Sequence, residues 1–100
     1  MKPANFNEVI GGKRYNTETA EVIASNAYWD GHNWERSGRN TYLYRTKKGG
    51  YFATHLTCWQ GERDTLEPLS QDEAVSMYES LQEHEIDFED AFPGVAVEEA

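Results

Sequence analysis

Thr41-Tyr42-Leu43-Tyr44-Arg45-Thr46, then Lys47-Lys48-Gly49-Gly50, then Tyr51-Phe52-Ala53-Thr54-His55-Leu56-Thr57-Cys58-Trp59 is the run that decides the fold of this 100-residue chain. The two outer segments are rich in β-branched and aromatic residues, and the lysine–glycine tetrad suits a short hairpin loop between them. Alternation along the second strand puts Phe52, Thr54, Leu56 and Cys58 on one face and Tyr51, Ala53, His55, Thr57 and Trp59 on the other. The sequence thus predicts an antiparallel hairpin at the centre.

Downstream, residues 60–64 read as a turn. Thr65-Leu66-Glu67 then adds a short third strand, which Pro68 assigns to an edge position. Ser70-Gln71-Asp72-Glu73 has the form of a capping box, in which Ser70 caps and Glu73 reaches back. The helix it starts is expected to reach about Gln82, burying Ala74, Val75, Tyr78 and Leu81. A second short helix is expected over residues 85–91, with Phe88, Ala91 and Phe92 inward and Pro93-Gly94 as its stop. Residues 94–100 are expected to fray.

Upstream, Gly11-Gly12 between Glu8-Val9-Ile10 and Lys13-Arg14-Tyr15 signals a small hairpin. A helix is expected next, with Asn16 or Thr17 as N-cap and Glu18 and Glu21 near its positive end. Its apolar stripe would be Ala20, Ile23 and Ala24. Residues 26–40 read as a loop of turn formers that holds Tyr28, Trp29 and Trp34. The sum is a single α+β domain over residues 1–100, ordered over about 6–93. It has a small antiparallel sheet of three or more strands and about three helices.

Composition narrows the function classes. With 38% hydrophobic and 13% aromatic residues, the chain is built to fold and is no acidic disordered tail. No stretch is long and apolar enough for a bilayer, so no membrane partner is expected. Lys2 is not followed by the apolar run of a signal peptide. A lone Cys58 cannot form an internal disulfide, which fits a reducing, cytoplasmic setting.

The formal net charge is −9, and it is unevenly spread. Residues 1–50 carry eight Lys/Arg against five Asp/Glu, whereas residues 51–100 carry Arg63 alone against thirteen Asp/Glu. Between Asp64 and Ala100 there is no Lys or Arg. On helices of the expected length, Glu79 and Glu83 share an outer face at i, i+4, as do Glu85 and Glu89, with Asp87 and Asp90 alongside. Like charges so spaced cost about 0.2–0.5 kcal/mol per pair. A surface reserved for a basic partner explains the missing cations, and a solvated face that confers solubility is the competing reading. Trp29 and Trp34 are the uncharged candidates for interface anchors.

Other chemistries are weaker. His55 and Cys58 have an H-x-x-C spacing, but residues three apart on a strand point to opposite faces, and Cys58 reads as a buried core thiol. No second cysteine closes a metal site, and no Walker A or G-x-G-x-x-G pattern is present. No catalytic residue, cofactor, metal or small-molecule substrate is therefore expected. Lys13, Arg14, Arg45, Lys47 and Lys48, with Tyr42, Tyr44 and Tyr51, could make a phosphate-binding, base-stacking sheet. The preferred reading is that the tyrosines fill the core and the lysines solubilise the hairpin tip. Whole-chain charge also opposes direct contact with nucleic acid.

Taken in order, the run from Ile10 through Gly11-Gly12-Lys13-Arg14-Tyr15-Asn16-Thr17-Glu18-Thr19-Ala20-Glu21, then Leu43-Tyr44-Arg45-Thr46-Lys47-Lys48-Gly49-Gly50-Tyr51-Phe52, then Pro68-Leu69-Ser70, resembles a family of small phage and mobile-element proteins. The chain is similar to anti-CRISPR inhibitors of type I surveillance complexes among them. The resemblance spans residues 8–92, and its motifs are turns, a hairpin and a capped helix, with no catalytic signature. It implies an inhibitor in the host cytoplasm whose partners are CRISPR-associated surveillance proteins. Such complexes hold nucleic acid in Lys/Arg-lined channels, which an acidic fold can occupy in the manner of a DNA mimic. The alternative is a small regulatory or accessory protein of a mobile element, with the basic hairpin as its route to nucleic acid.

Overall fold

The decisive hairpin is formed as the sequence predicts. In the computed structural model, which describes residues 4–27 and 38–100, β4 (Arg39–Arg45) and β5 (Tyr51–Thr57) pair antiparallel, with Leu43 opposite Ala53 and Arg45 opposite Tyr51. The loop closes through Thr46, whose N–H donates to the Gly50 carbonyl at 2.8 Å and whose hydroxyl accepts from the Gly50 N–H at 2.8 Å. Gly49 takes φ +88° there, a left-handed conformation that glycine adopts without steric cost. Strand β4 begins at Arg39, inside the segment expected to be loop.

Around this pair lie β1 (Asn7–Ile10), β2 (Lys13–Asn16), β3 (Glu21–Ser25), β6 (Thr65–Leu69), α1 (Gln71–Ser80), β7 (Glu83–His84) and α2 (Phe88–Ala91). Five strands form one antiparallel sheet in the order β6-β5-β4-β3-β7, and β1 and β2 form a separate two-stranded hairpin. The third strand is at the edge, as expected, with Pro68 opposite Phe52.

Three expectations are corrected. Glu21–Ser25 is a strand and not a helix, so the described residues contain two helices rather than about three. The cause is a β-bulge: register against β4 shifts between Val22 and Ala24. It places Ile23 and Ala24 together in one core cluster and Val22 in the other, which imitates a helical stripe. The capped helix ends at Ser80, before Gln82. The last helix begins only at Phe88, because Glu83–His84 leave the helical path to pair with Ala24 and Ser25 of β3.

The sheet is buried on both faces. One face packs Ile23, Leu43 and Tyr51 against Ala74, Tyr78, Leu81, Ala91 and Phe92 of the helical segment. The opposite face packs Tyr42, Tyr44, Phe52 and Leu56 beneath Phe6, Tyr15 and Ala20 of the N-terminal segment. Tyr44 stacks on Phe52 at 4.8 Å, and Tyr15 meets Phe52 edge-on at 5.6 Å. Burial pushes the Tyr42 and Tyr44 phenols above their ordinary pKa. Tyr51 reaches through the helical face, and its hydroxyl donates to the Ala91 carbonyl at 2.9 Å. Tyr51→Phe should cost about 1–2 kcal/mol, because the buried carbonyl is left without its donor. Urea unfolding measures this directly, and an unchanged midpoint would contradict it.

The capping box is complete. Ser70 Oγ accepts from the Glu73 N–H at 3.1 Å, and the Glu73 carboxylate accepts from the Ser70 N–H at 2.9 Å. That backbone bond holds the Glu73 carboxyl below its ordinary value. A carboxyl lowered in the folded state stabilises above its unfolded pKa and loses that contribution as pH falls through the folded value. Ser70→Ala should cost about 1 kcal/mol at neutral pH. For Glu73→Ala, which removes the titrating carboxylate, the gap to wild type should narrow on acidification below the ordinary glutamate range, as followed by thermal unfolding.

Candidate functional site

The six acidic candidates are all exposed, but they do not lie on helix faces as the spacing predicts. Glu79 is on α1, Glu83 on β7, and Glu85 in the connector after it. Asp87 stands at the N-cap position of α2 without a side-chain capping bond, and Glu89 and Asp90 occupy its first turn. Neither Glu79 and Glu83 nor Glu85 and Glu89 therefore form i, i+4 pairs on one helix. The fold gathers a different set from α1, α2 and the residues after them. Glu79, Glu89 and Glu98 line a hollow of about 390 Å³ together with Val75, Phe88, Val95 and Val97. The charges of Asp87 and Glu89 also add to burial in raising the Tyr78 phenol pKa, which places them beside the same helix.

Glu98 was missed because residues 94–100 read as tail. The available signal was the apolar alternation of Val95 and Val97. Val95 packs against the helical core cluster, and its N–H donates to the Phe92 carbonyl at 3.2 Å. This part of the chain thus joins negative charge to apolar surface. Carboxylates speed encounter with a basic partner, while apolar contact supplies much of the affinity. Trp29 and Trp34, the expected anchors, lie outside the described residues, as does Tyr28.

The basic candidates are divided by the fold. Tyr42, Tyr44 and Tyr51 are 6%, 2% and 7% exposed, so these rings fill the core and offer no stacking platform for bases. Lys13, Arg14 and Lys48 nevertheless converge where the two hairpin tips meet, around a cleft of about 540 Å³. Arg45 and Lys47 line a different hollow, with Glu21.

Cys58 is exposed rather than buried, because β5 ends at Thr57 and the chain turns away. His55 instead bridges neighbouring strands. Its Nδ1 lies 3.2 Å from the Thr41 hydroxyl and its Nε2 lies 3.1 Å from a Glu67 carboxylate oxygen. With Nε2–H donating to Glu67, Nδ1 accepts from the threonine. A hydroxyl–imidazole–carboxylate relay can polarise a nucleophile. The same three residues on β4, β5 and β6 also satisfy the ordinary pattern of cross-strand polar pairing. Beside them Arg39 grips Glu62 through both nitrogens of its fork, and this hydrogen bonding holds the Glu62 carboxyl low and the guanidinium pKa high.

Among the described residues no group of three or more His, Cys, Asp or Glu is arranged to hold a metal ion. None of their helices is long and apolar enough to cross a membrane. Comparison with known families, curated proteins and solved structures finds no match.

Proposed function

We propose that the chain is an inhibitory binding protein that presents its acidic C-terminal region to a basic, nucleic-acid-binding surface of another protein. The resemblance to phage proteins narrows that partner to a type I CRISPR surveillance complex, whose target DNA recognition would be blocked. The observation that carries this reading is the hollow rimmed by Glu79, Glu89 and Glu98 and lined by Val75, Phe88, Val95 and Val97. It lies in a stretch, residues 65–100, that contains no Lys or Arg at all. A duplex presents one negative charge per about 1.7 Å of axis, and a channel built for it attracts a folded acidic surface.

The test is a target-DNA mobility shift with a purified surveillance complex and increasing amounts of the protein. Wild type should displace DNA. A variant with Glu79, Glu83, Glu85 and Glu89 all changed to Lys should not, although its fold is retained. Equal displacement by both proteins would reject the reading.

A further inference from the structure

We propose that the cleft between the two hairpin tips binds a nucleotide-sized phosphate ligand. The β1–β2 tip and the β4–β5 tip come from distant parts of the sequence. They are set side by side because Tyr15 packs edge-on against Phe52 of β5. The cleft between them has a volume of about 540 Å³, within the range typical of small-molecule sites.

Its lining runs against the composition of the chain. Acidic residues outnumber basic ones by eighteen to nine overall, yet the cleft is lined by Lys13, Arg14 and Lys48 and by no carboxylate. Three converging cations with no internal counter-charge repel one another, and an anion relieves that cost. Arg14 is already oriented, since its Nη1 donates to Asn7 Oδ1 at 2.6 Å; its remaining N–H groups suit phosphoryl oxygens, which Arg recognises through its planar fork. Gly12 and Gly50 also line the cleft. A Cβ at Gly12 would meet nothing within 4 Å, so main chain at that tip is open to close approach by a ligand. Tyr15 and Leu69, both partly exposed, add apolar surface for the non-phosphate part.

Charge also sets the size of the ligand. A long polyanion lying across the molecule would meet the acidic half. A compact ligand held among the three cations would not, because fields from exposed charges decay over about 8 Å at physiological salt. The site is independent of the acidic hollow, which is formed by other elements.

The experiment titrates the full chain with inorganic pyrophosphate, ADP, a single-stranded tetranucleotide and a tetraglutamate peptide. Amide chemical shifts and calorimetry provide the readout, at about 50 and 200 mM salt. Pyrophosphate and ADP should bind saturably, moving the amides of Gly12, Lys13, Lys48 and Gly50 and weakening with salt. Lys13→Ala with Lys48→Ala should weaken both by about tenfold or more, without altering thermal unfolding. Tighter binding of the tetranucleotide than of ADP would assign the phosphate to a nucleic-acid strand, and the reverse to a free nucleotide. The proposal is overturned by the absence of saturable binding, by equal binding to the double variant, or by tetraglutamate matching pyrophosphate.

Discussion

Phe92→Ala should lower the unfolding free energy by about 3–5 kcal/mol, the usual cost of emptying a large aromatic site in a core. Phe92 is 1% exposed. Its ring lies 5.1 Å from Tyr51, 5.5 Å from Tyr78 and 5.0 Å from Phe88. Those partners belong to β5, α1 and α2, so one side chain ties the sheet to both helices. Aromatic pairs contribute about 0.5–1.5 kcal/mol each beyond burial, which puts the expected loss in the upper part of the range. A small domain has about 5–15 kcal/mol in total, so the variant should be partly unfolded in mild urea. Val97→Ala is the matched control, because Val97 is 64% exposed and its truncation should change stability by less than about 0.5 kcal/mol. If the two variants unfolded at the same urea concentration, the helical segment would not be packed as described.

The fourfold charge reversal should have the largest functional effect. Changing Glu79, Glu83, Glu85 and Glu89 to Lys adds eight positive units and takes the formal net charge from −9 to −1. All four side chains are exposed, so little stability is at stake. Steering by a field of this size changes association rates by about 10- to 1000-fold. The rate of binding to the surveillance complex should fall within that span at low salt, and the difference should shrink as salt rises. A rate insensitive to both the substitutions and the salt would remove the electrostatic basis of the proposed function. Stopped-flow fluorescence with labelled complex gives the measurement.

How much could be read in advance depended on whether each signal was local. The β4–β5 hairpin, the Gly11-Gly12 turn, the Ser70–Glu73 capping box and the edge strand ending in Pro68-Leu69 are set by neighbours in sequence, and each was legible. Strand β3 was not. Its bulge sends Ile23 and Ala24 to one side, and that breaks the alternation by which a strand is recognised. Strand β7 has two residues and exists only through its pairing with β3, a contact some sixty residues apart that no window along the chain can contain. The acidic candidates were visible in composition, but the structure groups them differently from helical spacing. The first helix ends earlier and the last begins later than periodicity suggests, and Glu98 enters the group through the folding back of Val95. The cleft between the hairpin tips was half visible: its lysines and arginine were noted, but only the Tyr15–Phe52 contact brings them together.

The flanks of the main sheet have a consequence for concentrated solutions. One rim is β6, where a proline stands in place of an N–H donor, and the other is β7, only two residues long. Neither rim offers an incoming copy of the chain a run of free main-chain donors and acceptors long enough to extend the sheet. These two rims thereby resist edge-to-edge pairing with another copy, and Pro68 does so even where charge repulsion is screened away.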